Sequence, residues 1–284
     1  MHKNNVVWLD GGKSHVGTHK PEIKEDGEYP PYKVIIKPFG LSKFAVTNEM
    51  FASFVGATNH KTDAETIGWS YVFLGQMGLP NDTRPSELSW WNAVEAVNWT
   101  CPQGVGSSYK DMLNHPVVHV THRDAKAYAR WADARLPNEA EWEFAARGGQ
   151  PKARYPWGDD EPDDESGIYC NIWQGQFPNI NTVKDGHYGT APVDSFEPNH
   201  YGLYNLCGNV WEWCDERYRV RRVSKSAKQR NAKASTNDDR VLKGGSFLCH
   251  KSYCWRYRIA ARSGRSSNTS TSNIGFRVAY DSRS

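Results

Sequence analysis

The sequence predicts a loop-rich α+β domain with short strands and few helices, running as one unit over residues 1–284. Three features predict that class. Twelve Trp stand among 24 Gly and 15 Pro, so large flat side chains must hold an irregular, turn-rich backbone. Helix signals are few but clear. The remaining apolar stretches are short and bounded by turn residues, as strands in such a domain are.

In chain order, residues 32–36 read as a first strand. Residues 48–57 read as a helix with Met50, Phe51 and Phe54 turned inward. Thr121-His-Arg-Asp124 is a capping box, and Ala125, Tyr128, Ala129 and Ala132 follow on one face. Pro137 and Asn138 open another helix through Ala146, which Gly148-Gly149 stops. Further strands are expected at 240–243, 257–260 and 276–279. The acidic run 159–165 reads as a surface loop, since it lacks the glycine and terminal glutamate spacing of a calcium loop. Residues 217–240 carry nine Lys/Arg with few apolar anchors, and are expected to be a mobile basic insertion. A nucleic-acid patch would interleave aromatics, and only Tyr218 is there.

Composition excludes several classes. A net charge of +3 gives no general case for a nucleic-acid or acidic-membrane partner. Apolar runs are far shorter than the ~20 residues a spanning helix needs. A chain of this length buries about 75% of its unfolded surface, so disulfides are not required. Six cysteines occur without paired C-x-x-C knuckles, which argues against a zinc ribbon.

The most chemically informative stretch is Gly244-Gly-Ser-Phe-Leu-Cys-His-Lys-Ser-Tyr-Cys-Trp-Arg-Tyr-Arg258. Two cysteines stand five apart after a Gly-Gly that allows a tight turn. Five extended residues span up to ~18 Å, whereas cooperating sulfurs need Cα atoms about 4.4 to 6.8 Å apart. The segment must bend if the thiols act together, as a disulfide, a redox dithiol or a two-thiolate site for Cu(I). His250, Arg256 and Arg258 are placed to lower a thiol pKa. Asn205 to Trp213 is a second dense stretch, where Asn205, Glu212 and the carbonyls between them suit Ca²⁺ or, equally, a turn into an aromatic strand. Asn171-Ile172 and Asp185 form a similar oxygen-rich pair.

Val6 to Gly12, Phe44 to Phe51, His115-Pro-Val-Val-His119, Arg135 to Trp142 and Tyr155-Pro-Trp-Gly158 follow one another along the chain. Asn171 to Gly175, Gly202-Leu-Tyr-Asn205, Gly208 to Trp213, Gly244-Gly-Ser246 and Gly275-Phe-Arg277 complete the series. In that order the sequence resembles the formylglycine-generating enzymes, or sulfatase-modifying factors, over nearly its whole length. The resemblance implies a sulfatase-modifying-factor, C-type-lectin-like fold. Most of these motifs mark the architecture; the pair Cys249 and Cys254 marks the catalytic members, which carry it while the inactive paralogue lacks it.

By that resemblance the protein is a copper-dependent oxidase. It converts the cysteine of a Cys-x-Pro-x-Arg-type motif, in an unfolded or nascent sulfatase-type polypeptide, to Cα-formylglycine with O₂. Cys254 would engage the substrate thiol and Cys249 would join it in holding Cu(I). Ser246, Tyr253 and Trp211 would line the oxygen pocket, with His250, Arg256 and Asn273 nearby. Structural Ca²⁺ would sit on Asn171, Asp185 and the Ile172 and His187 carbonyls. A second would sit on Asn205, Glu212 and the Gly208 and Val210 carbonyls. A non-catalytic peptide- or ligand-binding module on the same fold is the alternative, and the cysteine pair discriminates against it. The segment 265–270 departs from the family pattern near the expected peptide groove. Ala129, Ala145, Ile259 and Val278 stand where secreted animal members have disulfides. That fits a reducing, prokaryotic-style cytoplasm, or a secretory lumen if a signal peptide preceded this sequence. Neither nucleic acid nor membrane is an expected partner.

Overall fold

The side chains of Thr47, Thr121 and Asn138 each accept a backbone N–H of the helix that follows: Met50 N at 3.2 Å, Asp124 N at 3.2 Å and Glu141 N at 2.8 Å. Orphan amides at a helix start need such partners, so these residues fix where the helices begin. The computed structural model describes residues 5–77, 90–104, 106–222 and 224–281. Its helices are α1 (Asn48–Thr58), α2 (Asp63–Ile67), α3 (His122–Trp131), α4 (Glu139–Ala146) and α5 (Lys225–Thr236). The N-terminal strands are β1 (Val6–Leu9), β2 (Gly12–Val16), β3 (Tyr32–Ile36), β4 (Phe39–Ser42), β5 (Trp69–Phe73) and β6 (Trp91–Glu95). Then come β7 (Gly175–Gln176), β8 (Ile180–Asn181), β9 (Trp211–Arg217) and β10 (Asp239–Lys243). The last are β11 (Ser263–Ser266), β12 (Ile274–Gly275) and β13 (Ala279–Asp281).

A sheet in the order β11-β10-β9-β12 forms the centre, and β1-β4-β13 joins the two chain ends. Three hairpins, β2-β3, β5-β6 and β7-β8, stand around them. Aromatic side chains fill the gaps. Phe51 meets Phe54, Trp99, Tyr128 and Phe276 with ring centroids 5.2 to 6.4 Å apart. That packing binds α1, α3 and the C-terminal segment to one core.

Three expectations are corrected. Residues 225–236 of the basic segment, expected as part of a mobile insertion, form the helix α5, capped by Ser224. Its anchors are small: buried Ala227 and Ala234, and Asn231, whose amide spans the backbone N and O of Val220 at 2.7 and 2.8 Å. Residues 257–260 form no strand. Ile259 N bonds Arg154 O and Arg258 pairs with buried Glu28, so the segment is pinned by single contacts instead of a ladder. The last strand begins at Ala279, because Phe276 and Val278 spend their carbonyls on Val46 N and Ser42 N across an irregular stretch.

One buried charge organises the centre. Glu212 of β9 accepts Arg277 Nε at 2.7 Å, Arg277 Nη2 at 2.8 Å and Trp142 Nε1 at 2.7 Å. Arg277 also donates to the carbonyls of Ser42, Lys43 and Tyr204. Removing one member of a fully buried pair strands its partner, so Glu212→Gln and Arg277→Met are each expected to cost about 3–5 kcal/mol. The double replacement Glu212→Met with Arg277→Met should cost less than the sum of the singles. Urea unfolding measures all three; additive losses would show that the two groups do not act as a pair.

Candidate active site

Strand β10 ends at Lys243, whose buried ammonium lies 2.8 Å from Glu143. The chain then turns through Gly244 (φ +91°) and Gly245 (φ +73°), where a Cβ on Gly245 would sit 3.0 Å from the Tyr257 backbone. Only glycine fits both the left-handed φ and that approach. The following residues fold back on themselves. Phe247 N bonds Asn209 O at 2.9 Å, Cys249 N bonds Ser246 O at 2.8 Å and Cys254 N bonds His250 O at 2.7 Å. This turn supplies the bend that a working thiol pair demands. Cys249 Sγ and Cys254 Sγ lie 2.7 Å apart, so the two sulfurs share one site. Cys249 is 1% exposed and Cys254 8%, so both are buried and Cys254 is the nearer to the surface.

The two sulfurs are not equivalent. The hydrogen bond with Cys249 and the Arg256 guanidinium hold Cys254 down at about 7 against the opposing effect of burial. Burial pushes the Cys249 thiol well above its ordinary value, and the Cys254 sulfur adds to the effect. Arg256 Nη1 lies 3.7 Å from Cys254 Sγ, while its Nε bonds Asp26 Oδ2 at 2.5 Å. Asp26 thus orients the cation that charges Cys254. Nothing in the sequence marked Asp26 beyond its place in Lys24-Glu-Asp-Gly27.

The other expected residues divide. Ser246, fully buried, accepts from Asn273 Nδ2 at 2.9 Å. Trp211 packs in the same core cluster as both cysteines, and its backbone N–H donates to the Asn273 backbone carbonyl at 2.9 Å. Tyr253 is 47% exposed, and forms an aromatic wall instead of a buried lining. Its ring stacks on Phe177 at 4.2 Å and its hydroxyl accepts from Trp90 Nε1 at 3.1 Å. His250 contributes its carbonyl to the turn, while its ring bonds within the turn to Ser252. Burial lowers the pKa of that imidazole.

Two sulfurs, with no cluster of three His, Cys, Asp or Glu among the described residues, compose a donor set that suits Cu(I) better than Zn²⁺ or a hard cation. The oxygen-rich segments pass a different test. Asn171 Oδ1, Asp185 Oδ2 and Asn205 Oδ1 are buried without a hydrogen-bond partner, a costly arrangement unless a cation meets them. The Asn171 and Asn205 amide nitrogens are already tied to the Gly189 and Val193 carbonyls, at 2.8 and 2.9 Å. Glu212 also serves the buried ion pair. Three N–H donors occupy its carboxylate, leaving one lone-pair direction on Oε1 for a cation.

The thiol asymmetry has a direct readout. A depressed pKa means that thiolate is present above it and is lost as pH falls through it. Iodoacetamide labelling of Cys254 should therefore rise with pH and level off above about 7. Cys249→Ala removes the hydrogen-bond partner and Arg256→Met the cation, so each should move the profile to higher pH. Unchanged profiles in both variants would show that neither group charges Cys254.

Comparison with known proteins agrees with this geometry. Residues 1–282 match the family described as sulfatase-modifying factor enzyme 1-like domain. The formylglycine-generating enzyme of Thermomonospora curvata is 49% identical over 283 residues, covering 97% of this chain and 93% of that protein. An inactive C-alpha-formylglycine-generating enzyme 2 from Bos taurus is also similar, at 41% identity over 97% of this chain and 87% of its own. The solved structure of PvdO from Pseudomonas aeruginosa superposes with a TM-score of 0.68 at 24% identity, covering 98% of this chain and 94% of that one. It bears out the fold and no more. The chain belongs to the sulfatase-modifying factor family.

Proposed function

We propose that this chain oxidises a cysteine within a polypeptide to Cα-formylglycine with O₂, using Cu(I) held by Cys249 and Cys254. The observation that carries the reading is the contact between two cysteine sulfurs, one with a depressed and one with a raised pKa, on a turn whose Cys249 N–H is held by the Ser246 carbonyl. A relative named as an enzyme and one named as inactive are both similar to this chain. The thiol pair, more than overall similarity, therefore supports the catalytic reading.

The reaction converts R–CH₂–SH and O₂, with two protons and two electrons from a thiol reductant, to R–CHO, H₂S and H₂O. Bound Cu(I) would supply the one-electron chemistry that lets O₂ react with a closed-shell thiolate. The protein's own groups do the rest. Cys254, the more accessible and more acidic thiol, meets the substrate cysteine, while Arg256 offsets the negative charge gathered there. Ser246 offers a hydroxyl where oxygen-centred charge develops. The walls of Trp90, Phe177 and Tyr253 give the substrate backbone an aromatic surface on the open side. Partners are a sulfatase-type polypeptide, before it folds, and O₂. The same reading sets the enzyme in a reducing cytoplasm, where its six thiols stay free.

Ca²⁺ would clamp two loops, through Asn171, Asp185 and the Ile172 and His187 carbonyls, and through Asn205 with the Gly208 and Val210 carbonyls. Glu212 would add at most one oxygen. Added Ca²⁺ should then raise the melting temperature, and Asp185→Asn should abolish the rise. Melting that ignores both calcium and a chelator would refute these sites.

The function is tested with Cu(I)-loaded protein and a Cys-x-Pro-x-Arg peptide, read by mass spectrometry. Wild type should yield the aldehyde. Cys249→Ser and Cys254→Ser should each lose at least ~10³-fold in kcat, as when a nucleophile unit is broken. Ser246→Ala should lose roughly 10²-fold, the usual cost of one oxyanion donor. Conversion that survives either cysteine replacement would contradict the assignment.

A further inference from the structure

Behind Ser246 runs a buried chain of hydrogen bonds whose first member lies outside the site described so far. Thr271 Oγ1 donates to Asn273 Oδ1 at 2.7 Å, and Asn273 Nδ2 donates to Ser246 Oγ at 2.9 Å. Thr271, Asn273 and Ser246 are 7%, 6% and 0% exposed. The backbone holds both ends. The Thr271 carbonyl accepts His119 N at 3.0 Å, and the Ser246 carbonyl accepts Cys249 N at 2.8 Å.

The direction of the chain decides what Ser246 can do. A hydroxyl has one proton, and a carboxamide presents its acceptor on one side and its donors on the other. Run from Thr271, the chain leaves the Ser246 proton over: Ser246 Oγ accepts from Asn273 and, at 3.4 Å, from Leu248 N, and donates to none of the described residues. With the amide reversed, Asn273 would take the Ser246 proton and donate to Thr271. The Ser246 hydroxyl would then have nothing to give, and the Thr271 proton would be stranded in the core.

Resting on the function proposed above, we infer that Thr271 is a positioning residue for the reaction. Its proton fixes the Asn273 amide and thereby keeps Ser246 a donor toward O₂ at the thiol pair. Thr271 touches neither the thiols nor the substrate cysteine in this account; it acts through Asn273.

Thr271→Val keeps the shape and removes the proton, whereas Thr271→Ser keeps the proton. Thr271→Val should lower kcat/KM for O₂ roughly tenfold, the worth of one hydrogen bond. Peptide affinity should stay near wild type, and the melting temperature should fall by no more than the few degrees that one unpaired buried carbonyl costs. Thr271→Ser should restore O₂ efficiency. Adding Thr271→Val to Ser246→Ala should cost nothing further, since the chain then has no end to serve. The side-chain amide signal of Asn273, assigned by its loss in Asn273→Asp, should shift in Thr271→Val and not in Thr271→Ser. Wild-type O₂ efficiency in Thr271→Val, failure of Thr271→Ser to restore it, full additivity with Ser246→Ala, or an unmoved amide signal would each overturn the inference. If wild type itself converts no peptide, the functional reading fails, and the amide signal still decides whether Thr271 orients Asn273.

Discussion

The fold depends on one carboxylate removed from water. Glu212 is 1% exposed and its three donors come from α4 and from the C-terminal segment. Arg277 carries the connection on to Ser42, Lys43 and Tyr204. Five stretches far apart in sequence thus meet at one ion pair. Loops cannot supply their own ladders, so a domain with this much irregular backbone needs such a node. The charge is expensive to bury and is tolerated because every oxygen is met.

A second buried cluster sets the active turn on that frame. Lys243 neutralises Glu143, which also takes Arg147 at 3.0 Å and Gly17 N at 2.9 Å. Burial pushes the Glu143 carboxyl up, but the two cations outweigh it and hold it below its ordinary range. Lys243 is the last residue before Gly244-Gly245, so the turn bearing both cysteines starts from a fixed point. On its other side Trp173 N holds the Cys249 carbonyl at 3.0 Å. The backbone around the two sulfurs therefore brings them together.

Local signals were legible where the residue itself carries them. Thr121 and Asn138 announce helix starts because capping is a side-chain property. The Cys249–Cys254 spacing announced a bend, since two extended thiols could not meet. What stayed hidden depends on partners distant in sequence. Asp26 lies 230 residues from Arg256, and Thr271 matters only through Asn273 and Ser246. Helix α5 escaped because its buried face is Ala227 and Ala234, too small to register as apolar periodicity among nine cations. The commitment of Glu212 to Arg277 was equally invisible; its spacing from Asn205 suggests a cation site as readily as an ion pair.

What unites site and scaffold is a soft, two-sulfur centre held on a buried, backbone-pinned turn. X-ray absorption at the copper edge of the Cu(I)-loaded protein addresses that claim most directly. The account predicts a first shell of two sulfurs from Cys249 and Cys254, joined by a third when a cysteine peptide is added under anaerobic conditions. A shell dominated by nitrogen or oxygen, or the same spectrum from a protein lacking both thiols, would contradict it.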